Sequence, residues 1–78
     1  MLNVTIAAVD RIIFEGEVKS ITCPGSLGEL TVLGHHEPLI TTLTKGNLVI
    51  RCEGRDDESI KIEKGILEVS LNHATILV

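Results

Sequence analysis

Three side chains able to ligate a metal stand in one short run, His35, His36 and Glu37, and Cys23, Cys52 and His73 are the other groups of similar chemistry. Their spacing argues against a zinc site. Structural zinc sites in small domains use paired ligands such as C-x2-C or H-x3-H, and adjacent histidines on an extended chain point in opposite directions. Two carboxylate pairs, Glu15 with Glu17 and Asp56 with Asp57, have the composition of a general acid–base site. Both fall in segments predicted to be exposed turns, where water solvates the charges and nothing tunes them for proton transfer. The signatures of a nucleophile elbow, a P-loop and a dinucleotide site are absent from the sequence. No catalytic, metal or cofactor site is therefore expected.

Three other features remain. Cys23 and Cys52 form at most one bridge, whereas small secreted scaffolds carry four or more cysteines; two buried, unpaired thiols are predicted, with Cys52 in the inward phase of Leu48 and Ile50. Phe14 is the one aromatic residue, and its place in a short apolar segment predicts a core anchor rather than a stacking platform. The run Gly25-Ser26-Leu27-Gly28-Glu29-Leu30 combines two glycines with a carboxylate. It reads either as a wide turn with an exposed Glu29 or as a loop shaped to meet a partner.

The elements that position these residues follow from composition and period. The 78 residues suffice for one domain, residues 1–78, and 10 Ile, 7 Val and 7 Thr against 3 Ala favour sheet over helix. Net charge is −4 with no basic block, so neither phosphate neutralisation nor base stacking is provided for and no nucleic-acid partner is expected. There is no apolar run long enough to span a bilayer and no secretory-signal pattern, so the chain is expected to be soluble, intracellular and not inserted in a membrane.

Alternation predicts strands over 2–9, Val18–Cys23, Gly28–Leu33 and Leu39–Leu43, and further strands around Leu48–Cys52, Ile60–Ile62, Leu67–Leu71 and Ala74–Val78. Arg11–Phe14 is a short apolar segment ending in a tight connection at Glu15-Gly16, and Pro24-Gly25 predicts a type II turn. Gly54–Asp57 predicts a polar hairpin loop, and a second hairpin turns at Asn72-His73. Eight to ten short strands without helical periodicity predict an all-β fold, an antiparallel sandwich or barrel. Parallel βαβ units are excluded because no connection is long enough for the crossover.

The same residues carry a resemblance. Phe14-x-Gly16 followed by Val18, Pro24-Gly25-Ser26-x-Gly28-Glu29-Leu30, His36-x-Pro38-Leu39 with Thr41, Lys45-Gly46, and Lys64-Gly65-Ile66-Leu67-Glu68-Val69 are similar in order and spacing to the N-terminal β-sandwich domain of the ε subunit of F-type ATP synthases, called δ in mitochondria. The likeness runs from about residue 2 to residue 78. It implies two five-stranded antiparallel sheets and a non-catalytic place at the foot of the central stalk, bound to the γ subunit and resting on the polar loops of the c-ring. Such a domain couples γ rotation to the c-ring during ATP synthesis driven by an ion gradient. It is peripheral, on the cytoplasmic side of the bacterial inner membrane. Carried over by position, Glu29 is a c-ring contact candidate, and His36, Pro38 and Leu39 are γ contact candidates.

Two departures from the pattern matter. Family members have Pro-Gly-His before x-Pro-Leu, whereas this chain has Gly34-His35-His36. They also commonly continue into a C-terminal helical hairpin associated with inhibiting ATP hydrolysis and, in some members, with binding ATP. These 78 residues, which stop at Val78, are expected to do neither. The alternative function is a free-standing β-sandwich module for a small ligand or carbohydrate, which needs an aromatic-lined concavity that one aromatic residue hardly supplies.

Overall fold

The computed structural model describes residues 1–35 and 38–78, which form nine strands and no helix. These are β1 (Leu2–Ala8), β2 (Arg11–Val18), β3 (Ser20–Gly25), β4 (Gly28–Leu33), β5 (Leu39–Leu43), β6 (Gly46–Arg51), β7 (Glu58–Ile62), β8 (Gly65–Ser70) and β9 (His73–Leu77). Hydrogen bonding arranges them as a five-stranded leaf, β2-β1-β9-β8-β5, and a four-stranded leaf, β4-β3-β6-β7. A single pairing, Gly25 with Leu43, joins the leaves. The predicted all-β sandwich is present, with leaves of five and four strands rather than five and five.

Alternation decides what lies between the leaves. Leu2, Val4 and Ile6 of β1, Leu67 and Val69 of β8, and Ala74 and Ile76 of β9 face Ile21 and Cys23 of β3 and Leu48 and Ile50 of β6, all fully or almost fully buried. Val18, Val32, Leu43, Cys52 and Ile62 complete the interior. Each such side chain contributes about 1.5–3 kcal/mol relative to exposure. Cys23 and Cys52 are both buried and unpaired, as predicted. Burial pushes the Cys23 thiol up to about 11, because a thiolate would be formed away from water.

Four expectations are corrected. The sheet is mixed, because β1 runs parallel to β9, from Asn3 beside His73 to Ala7 beside Leu77. These strands are the first and last of the chain, so the whole domain serves as their crossover and no βαβ unit is required.

Glu15-Gly16 is not a turn either; β2 continues through it, with Gly16 opposite Val4 and Phe14 opposite Ile6. The Phe14 ring lies beside the bare Cα of Gly16, where an added Cβ would meet the ring at 3.7 Å. That is ordinary van der Waals contact, so the ring packs over this stretch of the strand without excluding a Cβ at residue 16. Phe14 itself is half-buried against the core and not at its centre, because β2 is an edge strand with nothing on its outer side.

Pro24-Gly25, finally, lies within β3 rather than ending it. The ladder from β3 to β6 stops at Thr22 opposite Val49, so the missing proline N–H leaves no partner there unsatisfied. The Pro24 carbonyl accepts from Thr44 N at 2.8 Å. The chain turns through the two-residue loop Ser26-Leu27, with Gly25 opposite Gly28. A Cβ on Gly25 would stand 2.6 Å from the Gly28 carbonyl oxygen and 2.7 Å from Leu30 Cδ2, so only glycine allows this approach.

Candidate functional site

Strand β5 organises the surface that the sequence singled out. Its inward residues, Leu39 and Thr41, line an open hollow of about 280 Å³ together with Leu27, Glu29 and Leu30. Glu29 is exposed as expected, but the turn is a tight two-residue one rather than a wide one, and Glu29 stands in β4 opposite Pro24. Leu27, at the hairpin tip, is 98% exposed, so the tip presents one apolar side chain beside one carboxylate. Ser26 binds the tip to β5: its N–H donates to the Thr42 carbonyl at 3.0 Å, and its hydroxyl lies 2.8 Å from Thr42 Oγ1.

Leu39 turns inward, half-buried against the core. Its neighbour Ile40 turns outward and is 72% exposed. Pro38 is exposed and lines a hollow of about 230 Å³ with His35, Leu71 and Asn72. That corner is held by Asn72, whose Oδ1 accepts from His35 N at 2.6 Å and whose carbonyl accepts from Asn3 N at 2.8 Å. His35 and Leu71 both adopt left-handed backbone, with φ of 63° and 56°. His36, the remaining γ contact candidate, lies outside the described residues, as does Glu37.

Register reveals what sequence reasoning missed. Across the outer face of the five-stranded leaf, Thr42 pairs with Ile66, Ile66 with Leu77, Leu77 with Ala7, and Ala7 with Ile12. Ile12, Ile66 and Leu77 are 58%, 47% and 53% exposed. They form one apolar row over four neighbouring strands, with Ile40 diagonal to it on β5. Such a contiguous patch on a small domain is more than singly scattered surface apolar residues. A bulge in β2 between the partners of Ile6 and Ala7 completes the row. The extra residue Ile13 shifts the phase, so that Ile12 joins the outer row while Ile13 packs against the core. Beyond Ile40 the row next to it is polar, running Glu68, Thr75, Thr5 and Glu15, with Thr5 Oγ1 3.2 Å from His73 Nε2. The signal in the sequence was an apolar residue in the polar phase of each strand, which means little until register brings the four together.

Among the described residues, no three His, Cys, Asp or Glu side chains are grouped to hold a metal ion. A broader hollow of about 450 Å³ beside the apolar row is open and lined by Thr42, Leu43, Lys64, Ile66, Leu77 and Val78, with no aromatic side chain in its wall.

Fold and surface together define a small β-sandwich with an exposed apolar row on one leaf and a carboxylate-bearing hairpin tip. Residues 1–78 match the family described as ATP synthase, Delta/Epsilon chain, beta-sandwich domain, and the chain belongs to that family. It is 41% identical over 76 residues to the ATP synthase epsilon chain of Leptospira borgpetersenii serovar Hardjo-bovis (strain JB197). That alignment takes in 97% of this chain and 59% of the relative, so the chain spans about three fifths of the curated relative's length. In the cryo-EM structure of Euglena gracilis mitochondrial ATP synthase, OSCP/F1/c-ring in rotational state 1, one chain superposes with a TM-score of 0.92 at 28% identity. The match covers 99% of this chain and 49% of that one. A chain of the Tetrahymena thermophila mitochondrial ATP synthase central stalk/c-ring structure shares the fold at a TM-score of 0.80 and 20% identity, covering 99% and 62%.

Proposed function

We propose that this domain is a non-catalytic central-stalk piece of an F-type ATP synthase that holds γ and the c-ring together as one rotating body. The observation that carries this reading is the exposed apolar row Ile12–Ala7–Leu77–Ile66 with Ile40 beside it, on a chain of the delta/epsilon family. This row and Pro38 meet γ, with desolvated side chains at the centre of the contact and Glu15 and Glu68 at its rim. Leu27 and Glu29, at the hairpin tip, meet the polar c-ring loops.

The two contacts are mechanically short-circuited through β5. One side of that strand lines the Glu29 hollow and the other carries Ile40 beside the apolar row, so a displacement of either partner passes through a single hydrogen-bonded strand. Torque from ion flow reaches catalytic subunits elsewhere, and the domain makes and breaks no covalent bond. It works as a peripheral subunit on the cytoplasmic side of the bacterial inner membrane. Among the described residues no helix is long and apolar enough to cross a membrane, and attachment runs through protein contacts.

Site-directed cross-linking in the assembled enzyme tests this. Cys23 and Cys52 are buried, so a cysteine introduced by Leu27→Cys or Ile40→Cys is the accessible thiol. The Leu27→Cys variant is expected to cross-link to c-ring loops and the Ile40→Cys variant to γ. The opposite pairing, or no cross-link from either, contradicts the proposal.

A further inference from the structure

The flank of the sandwich opposite the Gly25–Leu43 seam is open, and it is walled by two edge strands, β2 and β7. Between them lies a hollow of about 370 Å³. Its apolar part is Ile13 and Ile60, both half-buried and packed on the core. Its charged part is Arg11, Lys61 and Lys64, against the single carboxylate of Glu63. Three of the seven cationic residues of a chain with net charge −4 thus converge on one flank. Among the described residues neither Lys61 nor Lys64 has an ion-pair partner, and Arg11 reaches only Asp10, at 3.4 Å, in an exposed contact that is easily exchanged.

We propose that this flank binds an extended acidic peptide segment in which apolar and acidic residues alternate. The walls decide for a peptide over other amphipathic anions. Each is a strand bonded to a neighbour on one side only, so a row of backbone N–H and C=O groups faces the hollow and suits another extended backbone. Strand alternation then sends every second side chain inward onto Ile13 and Ile60 and the intervening ones outward to Arg11, Lys61 and Lys64. The bulge at Ile13 contributes directly, since it is the phase shift there that turns an isoleucine toward this flank. The proposal does not rest on the stalk reading, because the flank shares no residue with the apolar row or the hairpin tip.

The test uses the 78-residue chain and a fluorescent peptide of alternating glutamate and valine, with alternating serine and valine as the uncharged control and phosphatidylglycerol vesicles as the lipid arm. The acidic peptide is expected to bind and to shift amide resonances in β2 and β7. The variant Arg11→Gln/Lys61→Gln/Lys64→Gln is expected to lose about tenfold in affinity, the sum of three exposed charge contacts. Removing three cations elsewhere, in Lys19→Gln/Lys45→Gln/Arg55→Gln, is expected to leave it unchanged, and high salt is expected to weaken the wild type toward the level of the first variant. Equal loss in both variants, equal binding of the serine peptide, or binding to the vesicles alone overturns the proposal.

Discussion

The outer faces of the two leaves are built from the same kind of strand and present opposite surfaces. On the five-stranded leaf, register lines up Ile12, Ala7, Leu77 and Ile66. On the four-stranded leaf, it lines up Thr31, Thr22, Val49 and Ser59. There the Thr22 and Thr31 hydroxyls meet at 2.9 Å, and Arg51 donates to Thr22 Oγ1 at 3.1 Å. One face satisfies itself with hydroxyls and a guanidinium, whereas the other leaves apolar area in water that only a partner can cover. A domain of this size has little stability to spare. On the four-stranded leaf one apolar side chain, Leu33, stands exposed beside the hydroxyls, whereas on the five-stranded leaf the apolar residues line up as a row, which suits the contact surface proposed above.

The contrast depends on the two leaves staying in register at their single seam, and Gly25→Ala is the most direct way to break it. The new Cβ meets backbone, which cannot move aside as a flexible side chain does. A loss of about 2–3 kcal/mol is expected in chemical denaturation. A change under about 1 kcal/mol would mean that the seam is softer than the geometry implies.

A second effect comes from the interior common to both leaves. The folded state holds the Cys23 proton more tightly, to about 11 against an ordinary 9.0. The unfolded chain therefore ionises first as pH rises. The contribution of this group is intact below about pH 9 and falls by about 1.4 kcal/mol per unit on the way to 11. Denaturation midpoints across this range should drop in the wild type and drop less in Cys23→Ala, and parallel curves would refute the assignment.

Phe14→Ala sharpens the comparison at the edge of the five-stranded leaf. Because the ring is half-buried, a cost of about 1–2 kcal/mol is expected, below the range for a fully buried phenylalanine. A cost above about 3 kcal/mol would show Phe14 to be a central anchor. The smallest effect is a gain. Leu71 is exposed at φ 56°, a conformation glycine adopts without strain, so Leu71→Gly should stabilise by about 0.5–1 kcal/mol as read by thermal denaturation.

Much of the fold was legible in the sequence, and the parts that were not share a cause. Leu48, Ile50 and Cys52, Ile62, Leu67 and Val69, and Ala74 and Ile76 lie inside where simple alternation put them, whereas Leu71 and Val78, in the same phase but past the ends of β8 and β9, are exposed. Local pattern fails where a distant residue decides the outcome. Gly16 reads as a turn until it is seen paired with Val4 of β1, and Pro24 reads as a stop until β6 is seen to end its ladder two residues earlier. The parallel pairing of β1 with β9 joins the two ends of the chain, which no window of neighbouring residues contains. The candidate site divided in the same way. Glu29 is exposed as read from its own loop, whereas the resemblance points to Leu39 and says nothing of Ile40, which β5 turns outward while it turns Leu39 inward.

Calorimetric titration against a cognate γ subunit tests the functional contrast between the faces most directly. The protein is compared with Ile66→Ser/Leu77→Ser on the apolar row and Leu33→Ser on the outer face of the other leaf. The account predicts that the double variant stays folded and loses about 2 kcal/mol of binding, roughly thirtyfold, while Leu33→Ser binds as the wild type does. Unchanged binding by the folded double variant, with loss in Leu33→Ser, would place the contact on the polar leaf and contradict the account.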